Sequence, residues 1–260
     1  MEHLSTSRRS LLLGATATAG LLALPGPATA APAWQLRWSP DPNRDAPAAA
    51  FAGLEQHAHT QHIHARDGAY RFDMHCPPDF ADVDVKHGDR QRTEARGMRS
   101  GGEIKILQDQ TWRISYDMFV PNTLRPTTAF THIFQIKVRD IAPPLVTLTL
   151  NARGGGVIEM RTSNDSGAYT THDGTSYESI RNRWTSVDIE VKASNSGAHV
   201  AWTLRDTAGQ TLLNRRITGL DMWRGQNWLT PKWGVYRSLS SSGRVTTYLL
   251  TRNMKAHQLG

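Results

Sequence analysis

Apolar and polar residues alternate with a period of two along most of the chain. The segments that do so are short, rich in β-branched and aromatic residues, and separated by Gly, Asn, Asp, Ser or Pro, which is typical of antiparallel strands. They are GAYRFDMH, GEIKILQ, TWRISYDMFV, AFTHIFQIKV, LVTLTLNA, GVIEMRTS, WTSVDIEVKA, GAHVAWTLRD, TLLNRRITG, PKWGVYRSL and RVTTYLLTRNMKAHQL. Helical periodicity is almost absent. The pattern predicts an all-β protein, and we favour an antiparallel two-sheet jelly roll, a concanavalin-like sandwich.

The N-terminal stretch predicts an export signal. Arg8 and Arg9 precede an apolar run from Leu11 to Leu24, and small residues lead to a cleavage site near Ala31. The run is too short to span about 30 Å of hydrocarbon. We interpret residues 1–31 as a twin-arginine signal peptide and residues 32–260 as one jelly-roll domain, because no linker breaks the series of strands. The mature protein is expected to be secreted, without membrane attachment, and monomeric.

The segment that follows the predicted signal is rich in proline and alanine. It is expected to wrap around the domain as an arm, with at most a short helix around Ala48 to Leu54. Cys76 is the only cysteine, so the chain cannot form an internal disulfide, and we expect this residue to be a small core side chain.

The chain carries a formal net charge of +7, of which about +6 lies after the predicted signal. A basic secreted protein is expected to bind an anionic partner such as an acidic polysaccharide, a nucleic acid or the cell wall. No nucleic-acid-binding motif is recognised, so we expect no nucleic-acid partner. The histidines of QHAHTQHIHARD lack accompanying Cys or carboxylate spacing, and this stretch is expected to form a surface strand without a metal or cofactor.

One strand, RQRTEARGM, places Arg92, Glu94 and Arg96 on one face, because residues i, i+2 and i+4 of a strand share a face. A carboxylate between two guanidinium groups holds them rigidly, and arginine forks bind carboxylates through paired hydrogen bonds. The alternative interpretation is a surface ladder of ion pairs, which contributes little to stability.

Two further strands carry polar faces. THIFQIK predicts one face with Ile133, Gln135 and Lys137 and a core face with His132, Phe134 and Ile136. In PKWGVYRS the shared face is polar, and its glycine lacks the side chain that would keep a ligand away from the backbone. The residues of that face are Lys232, Gly234, Tyr236 and Ser238.

Arg-x-Glu-x-Arg, Gln-Ile-Lys and Lys-x-Gly-x-Tyr, in this order, resemble the Arg-x-Glu-x-Arg, Gln-Ile-His and Lys-x-Gly-x-Tyr strands of alginate-lyase-like polysaccharide lyases. MWRGQNWLTPKWGVYRSL is also similar to a segment of the heparin-lyase and glucuronan-lyase relatives. The resemblance spans Arg90 to Ser238. It implies a jelly roll whose concave face binds an acidic, uronate-containing glycan, with a glucuronan-like chain as our first candidate, and cleaves it by metal-independent β-elimination.

The resemblance also implies roles for individual residues. Tyr236 matches the catalytic tyrosine, Gln135 the amide that neutralises the uronate carboxyl, and Arg92 or Arg96 the arginines of the first motif. Substrate-binding residues are expected to be Arg92, Lys137, Lys232 and Glu94. Lys137 stands where the alginate enzymes have a histidine base. Either Tyr236 acts as both base and acid, or another histidine, such as His75 in YRFDMH, enters the groove.

Two other functions fit the same fold. A glycoside hydrolase needs two carboxylates across a groove, and Asp188 and Glu190 lie two residues apart in WTSVDIEVKA. Their strand alternates polar and apolar residues like an ordinary half-solvated strand, which argues against catalysis. A non-catalytic carbohydrate-binding module would use tryptophans such as Trp223 or Trp228 as stacking platforms.

Overall fold

The computed structural model describes residues 32–76, 84–141, 143–225, 227–240 and 244–260, and the predicted signal lies outside these ranges. Helix is limited to α1 (Pro47–Ala50) and two 3₁₀ turns, Arg153–Gly155 and Tyr177–Ser179, within the described ranges. The strands of the described residues are β1 (Trp34–Trp38), β2 (Phe51–Glu55), β3 (Ile63–Arg66), β4 (Ala69–Met74), β5 (Asp84–Lys86), β6 (Arg90–Arg99), β7 (Glu103–Ile104), β8 (Thr111–Phe119), β9 (Thr131–Val138), β10 (Val146–Asn151), β11 (Val157–Ser163), β12 (Tyr169–Ser176), β13 (Trp184–Lys192), β14 (Ala198–Arg205), β15 (Thr211–Leu220), β16 (Leu229–Ser238) and β17 (Thr247–Leu259).

These strands form two antiparallel sheets. The first, called the outer sheet, has the order β15-β14-β13-β8-β17-β4-β3, with β1 also paired to β17. The second, called the groove sheet, has the order β12-β11-β10-β9-β16-β6-β2, with β5 and β7 also paired to β6. The predicted all-β, two-sheet jelly roll is therefore confirmed. Residues Ala33–Gly260 form one compact unit. No helix in the described part of the chain is long and apolar enough to cross a membrane.

The core between the sheets contains a cluster of aromatic side chains. Trp233 stacks on Trp38 with ring centroids 5.2 Å apart and contacts Phe134 and Phe51 at 5.8 and 5.7 Å. All four side chains are buried. Because successive side chains of a strand point to opposite faces, burying Trp233 on the core side turns its neighbours along β16 to the other side of the groove sheet. That other side is called the groove face.

The segment that follows the predicted signal supplies edge strands rather than a simple arm. β1 pairs with β17 of the outer sheet, and β2 pairs with β6 of the groove sheet. Our expectation of a helix around Ala48 to Leu54 was only partly right, because the helix ends at Ala50 and Phe51–Glu55 is extended. Cys76, expected in the core, is partly exposed.

Strand β9 contains one extra residue relative to β10. Phe134 lies opposite Leu148, whereas His132 lies opposite Thr149, so Ile133 has no partner in the pairing. Such a β-bulge shifts the alternation of side chains by one residue. Ile133, which was predicted on the face of Gln135 and Lys137, enters the core together with Phe134. The prediction that His132 lies on the core face with Phe134 is also wrong, since its side chain lines a cavity on the groove face.

Gly234 is required by the neighbouring strand. Its φ is +130°, and a Cβ at this position would lie 2.1 Å from the carbonyl oxygen of Thr93 and 2.8 Å from Cα of Glu94. Our interpretation that this glycine leaves room for a ligand is therefore corrected. The space is filled by the backbone of β6, and glycine permits both that approach and the unusual φ.

We predict that Gly234→Ala lowers the free energy of unfolding by about 1–3 kcal/mol, because alanine adds both a steric clash and a strained φ. Urea unfolding measures the change. Gly102→Ala is the matched control, since a Cβ there meets no atom within 4 Å. Equal stabilities of the two variants would contradict this account of Gly234.

Candidate functional site

The groove face carries a row of side chains that crosses five strands. The cross-strand pairs are Arg161 with Thr147, Thr147 with Gln135, Gln135 with Lys232, and Lys232 with Arg96. Residues directly opposite each other in antiparallel strands share a face and lie about 5 Å apart. The register therefore brings together residues that are as far as 136 positions apart in the sequence, Arg96 and Lys232.

A second, parallel row lies beside the first. It runs from Glu159 through Thr149 and His132 to Tyr236 and Arg92. His132 joins this row only because of the bulge at Ile133. The bulge thus places an imidazole directly across from the tyrosine that the sequence singled out.

Six members of the two rows line a cavity of about 410 Å³: Arg161, Gln135, Lys232, His132, Tyr236 and Arg92. Among the described residues that line it, six are lysines or arginines and none is an aspartate or glutamate. A cavity of this composition attracts anions. The lining residues are Lys86, His87, Arg90, Arg92, Ala129, Phe130, His132, Gln135, Lys137, Pro143, Pro144, Arg161, Tyr169, Lys232 and Tyr236.

A buried charge network lies beneath the cavity. Lys232 Nζ lies 2.6 Å from Glu94 Oε2 and 2.5 Å from Glu55 Oε2, and Gln135 Nε2 donates to Glu94 Oε1. Burial would lower the pKa of Lys232, but the charges of Glu94 and Glu55 outweigh burial and raise it. Burial would likewise raise the pKa of Glu55, but Lys232 and Arg92 outweigh burial and lower it. Both partners are therefore charged at neutral pH.

Arg92 is tied into the same network. Its Nη1 lies 2.6 Å from Glu55 Oε2 and its Nε lies 2.5 Å from Asp84 Oδ2. Arg92 lines the large cavity and also an adjoining cavity of about 240 Å³, which Arg96 and Arg139 line as well. The structure therefore separates the two arginines of the first motif, because Arg96 does not line the cavity that holds Tyr236.

Tyr236 is half-buried and lies among cationic and aromatic neighbours. Its hydroxyl accepts a hydrogen bond of 3.4 Å from Arg90 Nη1, and Arg90 itself pairs with Asp89. The ring of Phe130 lies 5.6 Å from the tyrosine ring, and the ring of His132 lies 6.1 Å from it.

The chain has the jelly-roll fold of alginate lyases. Alginate lyase A1-II′, a member of polysaccharide lyase family-7, aligns with a TM-score of 0.56 and 14% identity over 85% of this chain and 100% of that chain. A substituted form of the same lyase in complex with the substrate GGMG gives a TM-score of 0.53 and 17% identity over 77% and 82%. An alginate lyase from Klebsiella pneumoniae gives 0.52 and 12% over 75% and 83%.

No protein-family model and no curated protein sequence matches the chain. At these identities the solved structures establish the fold alone. The roles of individual side chains must therefore be argued from their own positions in the groove sheet.

Lys137 lines both cavities. It differs from Lys232 and Arg92 because no carboxylate of the described residues lies within ion-pair distance of its ammonium. Burial, and then the charge of Lys232, lower its pKa. Lys137 is thus a partly desolvated cation whose charge is not already neutralised by a paired carboxylate.

Two predicted site residues lie elsewhere. His75 does not line the cavity; its ring packs on that of His62 at 4.6 Å, and its carbonyl oxygen accepts a hydrogen bond from Gln91. Glu94 is 1% exposed and lines neither cavity, so the prediction that it contacts substrate is corrected to a role in holding Lys232 and Gln135.

Several lining residues were missed at the level of sequence. Arg90 lies two residues before Arg92 on β6 and so shares its face. Arg161 lies between buried residues on β11. Alternation along the strand could therefore have indicated both. His132 had no such signal, because the alternation of polar and apolar residues does not reveal the β-bulge at Ile133. The cluster of histidines in QHAHTQHIHARD forms no group that could hold a metal ion among the described residues.

We predict that Lys232→Met lowers the free energy of unfolding by about 3–5 kcal/mol, because it leaves two carboxylates without their shared partner. Chemical denaturation measures the loss. Lys255→Met is the matched control: Lys255 is exposed in β17, and its removal is expected to change stability by no more than about 0.5 kcal/mol. A small loss for Lys232→Met, with no recovery on adding Glu94→Gln, would contradict the buried network.

We also predict that the stabilisation provided by Glu55 is lost in acid. The pKa of Glu55 is lower in the folded state than in the unfolded state. The ionised carboxylate therefore adds to the free energy of unfolding at pH values above the unfolded pKa, and this stabilisation is lost as the pH falls through the folded pKa. The stability gap between the wild type and Glu55→Gln should therefore be largest above about pH 5 and narrow in stronger acid. A gap that stays constant between neutral and acid pH would show that the pairing does not stabilise the ionised carboxylate.

Proposed function

We propose that this protein is a polysaccharide lyase that cleaves an acidic, uronate-containing glycan by metal-independent β-elimination, with a glucuronan-like chain as the first candidate substrate. The observation that carries the proposal is a cavity that, among the residues the structure describes, is lined by six cations and no carboxylate, around the half-buried Tyr236. The shared fold with alginate lyases supports it.

The reaction needs three things that the cavity offers. The uronate carboxylate must be neutralised so that charge developing beside it after loss of the C5 proton is tolerated. A base must take that proton, and an acid must protonate the departing O4. Gln135 is suited to the first task, because its amide nitrogen has two hydrogens and uses one on Glu94. Lys137, which has no paired carboxylate among the described residues, is suited to binding the carboxylate of a neighbouring sugar.

Tyr236 is suited to the acid role. Its hydroxyl lies beside Arg90, which stabilises the phenolate left after proton transfer to O4. Arg92 and Lys232 present hydrogen-bond donors at fixed positions, since their ion pairs with Glu55 and Glu94 hold them in place. Arg96 is better placed to bind a sugar carboxylate further along the chain, in the adjoining cavity.

A glycoside hydrolase fits this cavity poorly. Hydrolysis needs two carboxyl groups flanking the scissile bond, and none lines the cavity among the described residues. Asp188 and Glu190 lie on the outer sheet, where Arg113 and His199 pair with them. They form part of a half-exposed strand, as its sequence predicts.

The second candidate function is a carbohydrate-binding module. The cationic cavity could bind an acidic glycan without cleaving it. The two candidate tryptophans, however, do not offer free ring faces for stacking on a sugar. Trp223 is 8% exposed, and Lys105 lies 4.1 Å from the ring centroid of Trp228.

Incubation of the mature protein with glucuronan, alginate and glycosaminoglycans separates the two functions. Ultraviolet absorbance from unsaturated uronate ends supports the lyase, whereas binding without any absorbance on the whole panel supports the module.

We predict that Tyr236→Phe lowers kcat by about 100-fold or more on the best substrate of that panel, because the variant keeps the ring and loses the proton. Tyr248→Phe is the matched control: its ring lies on the outer sheet under Arg71, and it should keep full turnover. Near-normal turnover of Tyr236→Phe, with normal folding by circular dichroism, would exclude Tyr236 as the acid.

We further propose that the protein is exported through the twin-arginine pathway and acts as a monomer. The paired arginines, the short apolar run and the small residues near Ala31 support export. Secretion would deliver a basic protein to polymeric anions outside the cell, which matches the charge of the cavity.

A further inference from the structure

We propose that His132 is the general base of the lyase reaction, with its Nε2 atom accepting the C5 proton while Tyr236 protonates O4. The inference rests on the proposed function. It assigns the base to a residue outside the three sequence motifs, since Lys137 occupies the motif position at which the resemblance leads one to expect a histidine.

The register places His132 opposite the proposed acid. His132 on β9 pairs with Tyr236 on β16, and the ring centroids are 6.1 Å apart. Lys137 pairs instead with Thr230, five residues from His132 along β9. At about 3.3 Å per residue this is roughly 16 Å along the strand. The base acts on the hydrogen of C5 and the acid on O4, and C5 and O4 are both bonded to the same C4. His132 therefore meets the distance requirement, and Lys137 is better placed on a neighbouring carboxylate.

The neighbouring strand fixes which nitrogen of His132 is free to act as a base. His132 Nδ1 lies 2.7 Å from Thr149 Oγ1, and the Thr149 hydroxyl donates to Thr147 Oγ1 at 3.2 Å. Thr149 has one hydroxyl hydrogen, which is used on Thr147, so Nδ1 must carry a hydrogen and donate it. Nε2 is then the unprotonated nitrogen, and it has no hydrogen-bond partner among the described residues.

The surroundings keep the imidazole neutral and oriented. Phe130 stacks on it at 4.8 Å with an interplanar angle of 19°. Burial, followed by the charges of Arg161, Lys232 and Arg90, lowers the pKa of His132 to about 3. The free protein therefore holds a base that is unprotonated at any physiological pH, and an incoming uronate carboxylate would raise its proton affinity by offsetting those cations.

The proposed step is balanced. The C5–H bond breaks and its proton goes to Nε2 of His132; the electron pair forms the C4=C5 double bond; the C4–O4 bond breaks and O4 takes the proton of Tyr236. His132 is left as imidazolium and Tyr236 as phenolate. Transfer of one proton from the imidazolium to the phenolate, directly or through one water, restores both groups without an outside reactant.

The first test does not depend on activity. Two-bond nitrogen–proton NMR correlations on histidine-labelled protein report which ring nitrogen carries hydrogen, and the His132 signals are assigned by their loss in His132→Asn. We expect the Nδ1–H tautomer with an unprotonated Nε2. Thr149→Val should disturb this tautomer and Thr149→Ser should restore it, because serine keeps the hydroxyl. An Nε2–H tautomer in the wild type would overturn the proposal.

The second test is kinetic. His132→Asn keeps an amide donor near Thr149 and removes Nε2, so kcat should fall by about 100-fold or more while KM changes only a few-fold. The matched control is His172→Gln, whose imidazole also bonds a threonine hydroxyl of the groove sheet, Thr162 at 2.8 Å, but lies outside the cavity.

The outcomes separate the two proposals. If the wild type shows no elimination on any polyuronide, the proposed function fails and the base assignment fails with it. If the wild type is active and His132→Asn retains its kcat, the lyase stands and His132 is not the base. Loss of turnover in Lys137→Met or His75→Gln with retention in His132→Asn would assign the base to that residue instead.

Discussion

The lysine ammonium held between one buried and one half-buried carboxylate is the interaction on which the rest of the site depends. Lys232 of β16 bridges Glu94 of β6 and Glu55 of β2, and Glu94 also holds the amide of Gln135 on β9. Charges removed from water must be paired or they destabilise the fold. The network therefore fixes four adjacent strands, β9, β16, β6 and β2, and sets the position of the functional groups above them, including Tyr236 four residues further along β16.

Much of the fold could be predicted from the sequence because it depends on local alternation. The period-two segments became strands, and the polar faces of β6 and β16 are those that the spacing indicated: Arg92 and Tyr236 do face the same side. The edge strands β1 and β2 could not be predicted in the same way. Their pairing with β17 and β6 is long-range, and proline and alanine obscure the alternation before Glu55.

The site could be predicted only in part. Alternation shows which side chains share a face within one strand, but not which strands are neighbours or where a strand gains a residue. Because of the bulge at Ile133, His132 lies on the groove face and not in the predicted core. Gly234 accommodates the backbone of β6 and not, as expected, a ligand. Burial is also invisible in a motif: Glu94 matched a substrate-binding pattern but is enclosed beneath the cavity.

The resulting account joins charge, register and chemistry. A cationic cavity without lining carboxylates among the described residues favours a polyanion over hydrolytic catalysis, and the proposed acid and base meet across β9 and β16. The most direct test of its central claim is mass spectrometry of polyuronide products formed in water labelled with heavy oxygen. Elimination predicts one unsaturated end for each cut and no label in the products. Saturated ends that carry one labelled oxygen per cut would show hydrolysis and contradict the account.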